Sequence, residues 1–93
     1  MLDSEILEQL FNAIHEHRSV SLELFHIRIK VLPLSIFIST QSDRQYLMAY
    51  SYQDKKIRSM RLDHIISIKY LDVSTDFELY RKELEEMKKH LWG

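Results

Sequence analysis

The chain has 93 residues, 45% of them hydrophobic and 29% charged, with a net charge of −1 and no cysteine. That length supports one small domain, the apolar share argues against disorder, and the missing cysteines exclude disulfides and thiolate metal sites. The N-terminal residues are acidic rather than a basic and apolar leader, and no apolar run approaches the roughly 20 residues that span a bilayer, so a soluble, cytoplasmic protein with no membrane partner is expected. Charge is unevenly spread: residues 1–25 carry a net −4, residues 26–61 a net +5 and residues 62–93 a net −2. A basic block between acidic ends suits an anion-binding face, and it equally suits a set of solvated strand faces.

In chain order, Asp3 or Ser4 can cap a first helix over about 4–17, with Ile6, Leu7, Leu10, Phe11 and Ile14 at helical spacing. "SVSLELF" alternates as a half-buried strand, and "RIKVLPLSIFIST" reads as a longer one. Pro33 inside it cannot donate to a ladder, which makes that point an edge, a bulge or a sharp bend. "SDR" at 42–44 and "QDKK" at 53–56 are turns on either side of a third strand, "QYLMAYSY". "IRSMRL" and "IISIKYL" are the last two strands, separated only by Asp63 and His64. Five short strands with brief turns predict an α+β, mainly β domain: a small barrel or sandwich over about 19–72. The tight break at Asp63-His64 favours an SH3-type barrel.

Thr75-Asp76-Phe77-Glu78 then reads as a capping box that opens a helix over about 75–91. Phe77, Tyr80, Leu84, Met87 and Leu91 form a narrow stripe on it. Such a stripe either packs back on the barrel or pairs with another chain. The expectation is packing for the first half and a partner for the end. The chain closes on Leu-Trp-Gly as this helix runs out, which reads as a fragment of a longer protein.

Catalytic chemistry finds no support. His15 and His17 point to different sides of a helix, and His26, His64 and His90 have no partner at ligand spacing, so no metal or other cofactor is expected. There is no nucleophile elbow and no glycine-rich phosphate loop. Glu83, Glu85 and Glu86 beside Lys82, Lys88 and Lys89 read as a solvated helix face.

Residues 44–65 pose a different question. Tyr46, Met48, Tyr50 and Tyr52 share one strand face, with Gln45, Leu47, Ala49 and Ser51 on the other. In the next strand Arg58 and Arg61 fall on opposite faces unless the strand bends near residue 60. The tyrosines either fill the barrel, with the arginines covering its outside, or offer stacking surfaces and forked donors to an anionic ligand.

"VLPLSI", "QYLMAY" and "IRSMRLDHI", in that order and spacing, resemble the WYL domain over about residues 6–72. The resemblance implies an Sm/SH3-like five-stranded barrel preceded and followed by a helix. It also implies a role as ligand sensor and dimerisation element behind a helix-turn-helix domain in bacterial transcription regulators. The implied ligand is single-stranded nucleic acid or a small nucleotide-like anion, and DNA is contacted through a domain outside this chain. Carried over to this sequence, the ligand-binding residues are Tyr46, Arg58 and Arg61, with Ser35 near the same pocket two residues after Pro33, and His64 at the motif's last basic position.

This chain departs from the motif at three places. Gln45 replaces the motif tryptophan and keeps only a hydrogen-bonding amide, Met60 replaces phenylalanine, and His64 replaces an arginine and makes binding pH-sensitive. A ligand-free dimerisation module and an Sm-like RNA-binding module are the alternatives, and a homo-oligomer is expected.

Overall fold

The computed structural model describes residues 4–92. Helix α1 (Ser4–Glu16) leads into strands β1 (Arg18–Leu24), β2 (Ile27–Ser39), β3 (Arg44–Ser51) and β4 (Lys56–Arg61). A single 3-10 turn (Leu62–His64) joins β4 to β5 (Ile65–Val73), and α2 (Phe77–Trp92) follows. The strands form one antiparallel sheet in the order β4-β3-β2-β1-β5. The last strand thus returns to pair with the first, the order expected of an SH3/Sm-like barrel.

The long β2 is shared between two neighbours. Its first part pairs with β1 from Ile27 to Val31, and its second with β3 from Val31 to Ser39. Pro33 therefore stands beyond the β1 ladder, where a missing N–H costs no hydrogen bond. On the β3 side the register slips between Pro33 and Ser35, leaving Leu34 as the extra residue of a bulge. Of the three readings of Pro33, the structure takes the bulge, and takes it inside a central strand.

Both faces of the sheet are covered. On one, α1 buries Ile6, Leu10 and Ala13 against Val20, Leu22, Val31, Leu47, Ala49, Leu62 and Ile65. Phe11 does not join them; it is 52% exposed, on the outer side of the helix. On the other face α2 buries Phe77 and Leu84 against Leu32, Leu34 and Ile57, with Met48, Tyr50, Tyr52, Tyr80 and Met87 packed around them. Each fully buried leucine of these two layers contributes roughly 1.5–3 kcal/mol. The α2 stripe is thus an internal surface from Phe77 to Met87, farther along than its first half; Leu91 lies outside the residues whose side chains are described.

The two helices meet at His17. It ends α1 in the left-handed region (φ 58°), its N–H donates to the Ile14 carbonyl (3.2 Å), and its own carbonyl accepts from Ser74 N–H (2.7 Å). Its ring lies parallel to that of Phe77 at 4.0 Å, and Nε2 is 3.8 Å from the Glu78 carboxylate. The start of α2 differs from the expected capping box. The helix begins at Phe77, Asp76 carbonyl accepts from Tyr80 N–H, and Ser74 Oγ accepts from Asp76 N–H (3.1 Å) while Glu78 turns to His17. Farther along, Arg81 Nη1 donates to the Leu34 carbonyl (3.0 Å). That bond satisfies a carbonyl at the bulge and pins α2 to β2 at the point where the ladder breaks.

Candidate ligand-binding site

Cross-strand register decides which side chains can act together, because residues opposite each other project to the same face. Tyr46 of β3 stands opposite Arg61 of β4 and Phe37 of β2. Met48 stands opposite Ser59 and Ser35, and Tyr50 opposite Ile57 and Leu32. Ser35, Tyr46 and Arg61 therefore share one face. Arg58 does not, since the β3–β4 register runs without interruption and sets it opposite Ala49. The bend near residue 60 that would unite the two arginines is absent from that ladder.

The tyrosines divide by their position along β3. Tyr50 and Tyr52 lie under α2: Tyr50 stacks on Tyr80 with centroids 3.7 Å apart and planes 11° from parallel, and Tyr52 meets Tyr50 edge-on at 5.4 Å. The neighbouring Tyr50 hydroxyl, with burial as the second cause, pushes the Tyr80 phenol up to about 12. Lys30 sits 4.8 Å over the Tyr52 ring. These two tyrosines build the core. Tyr46 is farther along, tilted against Phe37 at 6.3 Å. A groove of about 400 Å³ opens there. Phe37, Ser39, Tyr46, Met48 and Ser59 form its floor, and Leu84, Met87 and Lys88 of α2 its wall.

Both motif arginines are held by carboxylates. Arg61 forks onto Asp63, Nε to Oδ1 at 3.0 Å and Nη2 to Oδ2 at 2.6 Å, and this bond holds Asp63 below the usual carboxylate range while raising Arg61. The fork uses two of five guanidinium donors, so Asp63 orients Arg61 and leaves three N–H groups for a ligand. Arg58 donates to Asp54 (2.6 Å), and with Ser51, whose hydroxyl donates to the same carboxylate, it lowers Asp54. That trio closes the β3–β4 turn, in which Lys55 takes φ 57°. The geometry gives Arg58 a turn-fastening role.

The two remaining positions stand apart. His64, in the 3-10 turn, packs against Phe25 of the β1–β2 turn (5.6 Å, tilted 55°). Like Ser35, Arg44 and Arg61 it is not among the residues lining the groove, but unlike them it does not share the Tyr46 face of the β2–β3–β4 ladder. Gln45, on the opposite face from Tyr46, turns Oε1 inward, where it has no hydrogen-bond partner. Two further groups were not singled out by the sequence pattern. Arg81 fastens the bulge, and its signal is its place one residue after Tyr80 on the buried side of α2. Arg44 alternates with Tyr46 and Met48 on the groove face, opposite Ser39, and is exposed with no ion-pair partner among the described residues. No group of three metal-ligating side chains occurs among the described residues, and no described helix is long and apolar enough to cross a membrane.

Strand order, bulged second strand and 3-10 link define a small SH3/Sm-like barrel with an aromatic and basic pair set across β3 and β4. The WYL domain model matches residues 5–70, and the chain belongs to that family. A solved structure, Proteasome accessory factor B/C (PafBC) of Arthrobacter aurescens, is similar over 78% of this chain with a TM-score of 0.70 and 23% identity. This chain spans 12% of that one, and at such identity the likeness is one of fold. No curated protein matches the chain. Helix α2 lies beyond the matched segment.

Proposed function

We propose that this WYL domain is the ligand-sensing, regulatory module of a bacterial transcription regulator whose DNA-contacting helix-turn-helix domain lies outside this chain. The ligand is a nucleic-acid-derived anion, single-stranded nucleic acid or a nucleotide-like molecule, held at the Tyr46–Arg61 face with Ser35 and Ser59 beside it. The observation that carries this reading is the register pair itself: Tyr46 offers a ring for base stacking directly opposite an arginine that a carboxylate has already oriented. Arg58 and His64 are assigned to the turns, for the reasons of register and packing given above.

The test is fluorescence anisotropy with a labelled single-stranded oligonucleotide. Arg61→Ala removes binding and Arg58→Ala keeps it, with melting temperatures close to the parent in both. Equal loss in the two variants, or none in either, contradicts the assignment. Tighter binding of RNA than of DNA of the same sequence would favour the RNA-binding alternative, since the 2′-hydroxyl is what differs.

Assembly into a homo-oligomer is a second, compatible reading, favoured by one observation. β5 is an edge strand with Ile66 and Val73 more than half exposed. Ile66→Lys lowers the mass measured by light scattering if this edge joins copies, and an unchanged mass removes it as the interface.

A further inference from the structure

We infer that the groove under the C-terminal half of α2 binds a small planar aromatic anion, with its ring between the sheet and α2 and its acidic group at Arg44. This gives the sensory reading a specific subsite and rests on that reading for its purpose, though not for its test.

Size comes first. About 400 Å³ holds one ring system with its substituents, at the lower end of ordinary ligand sites, and does not hold a folded polymer. Its lining favours a flat apolar body. Phe37 and Tyr46 supply rings, and Met48 and Met87 supply thioethers from the sheet and from α2. Sulfur against a ring edge and offset stacking are both favourable contacts for an aromatic ligand and give less to an aliphatic chain. The hydroxyls of Ser39 and Ser59 add two small polar contacts on the floor.

Charge places the acid. No acidic residue lies on this face of β2, β3 or β4 at positions 32 to 39, 44 to 50 or 57 to 61. On α2, Glu85 is engaged with Arg81 (3.6 Å) and Lys88 (3.8 Å) and Glu86 with Lys89 (3.8 Å), which leaves Glu83, exposed beside Leu84, as the acid of that helix stretch with no ion pair among the described residues. Lys88 and Arg61 have internal carboxylates, whereas Arg44 has none among the described residues. An anion that pairs with Arg44 displaces no carboxylate of the protein.

The wall formed by Leu84, Met87 and Lys88 makes the site mechanical. Three of the eight lining residues belong to a helix outside the matched family segment, so a ligand that fills the groove binds one position of α2 better than others and biases that position. Whatever follows α2 in a longer protein receives the shift.

The test uses the whole chain and naphthalene-2-sulfonate, a planar aromatic anion whose own fluorescence makes it the reporter dye. One saturable site per chain is expected. Arg44→Ala weakens it about three- to fivefold, the loss of one exposed charge contact. Ser59→Phe fills the floor and abolishes it, and Arg58→Ala on the opposite face leaves it unchanged. Ser59 and Arg44 are exposed, so both variants keep the parent melting temperature, which is measured alongside. Displacement by adenosine monophosphate or by hydroxybenzoate supports the inference and tells a nucleotide ring from another aromatic acid. Displacement by decanoate in preference to both overturns it, and so does dye binding indifferent to Arg44→Ala and Ser59→Phe, or no saturable binding. The sensory reading fails separately, when oligonucleotide binding is indifferent to Arg61, whichever way the dye behaves.

Discussion

Leu84→Ala probes whether α2 is part of the domain's core or a helix awaiting a partner. Leu84 is 1% exposed, enclosed by Phe77, Tyr80 and Met87 of its own helix and by Leu32, Leu34 and Ile57 of the sheet. Cutting a buried leucine to alanine costs about 2–5 kcal/mol, the larger values arising where the surroundings cannot collapse into the cavity. Collapse is restricted here, because Arg81 ties α2 to the bulge and the stacked Tyr50–Tyr80 pair fixes its spacing from β3. A 93-residue domain has a total stability of about 5–14 kcal/mol, so the loss is a large share of it. At about 4–8 °C per kcal/mol, even the lower end takes about 8–16 °C from the melting temperature. The control is Leu79→Ala on the same helix, 61% exposed, which changes stability by no more than about 0.5 kcal/mol. Circular dichroism through a thermal ramp reads both variants. Equal melting temperatures for Leu84→Ala and Leu79→Ala would refute the packing of α2 on the sheet.

Three further outcomes follow from the same geometry. Gln45→Leu removes a buried acceptor that has no partner, and its expected effect is a gain of about 1–3 kcal/mol, seen as a higher denaturant midpoint; a loss would mean that Oε1 is satisfied in solution. Asp63 is depressed by Arg61, so the pair's contribution is present above the ordinary Asp value of 3.8 and is lost as pH falls through the lower folded value. Carboxyl NMR titration should show Asp63 protonating below 3.8 and returning toward it in Arg61→Ala; no movement in the variant would contradict the fork. Tyr80 is raised to about 12, so its contribution is full below the ordinary value of 10 and fades as pH rises through 12. Phenolate absorbance should therefore show one tyrosine ionising last, and Tyr80→Phe should remove that late step.

Much of the fold was legible because the strands alternate and their turns are short. The same alternation carried a message that pattern reading passed over. In β3 one set, Leu47 and Ala49, is apolar, and the other, Tyr46, Met48 and Tyr50, is largely apolar too, which is the mark of a strand covered on both faces. With that second face in view, the α2 stripe from Phe77 to Met87 has its partner inside the chain. The opposition of Arg58 and Arg61 was also legible, since residues three apart in a strand point opposite ways.

Other features were hidden for physical reasons. Periodicity puts three tyrosines on one face but cannot say that α2 covers Tyr50 and Tyr52 and leaves Tyr46 in the groove. The partners of Arg58 and Arg61 are carboxylates four and two residues away, close enough in sequence to be found and without a pattern that singles them out. Phe11 fits the α1 stripe by spacing and still faces outward, because Ala13 takes the inner place against the sheet. Arg44 looked like one charge in a basic block. Its distinction, being the one arginine with no carboxylate partner among the described residues, is visible only once the other five arginines have found theirs.

The central claim is that the Tyr46–Arg61 face senses a nucleic-acid-derived anion, and its most direct test is a titration of the purified chain with labelled single-stranded DNA across a salt series. The account predicts binding that weakens with salt at a log–log slope of about −0.7 for each phosphate engaged, shallower in Arg61→Ala. Binding with no salt dependence, or none at low salt, would contradict it.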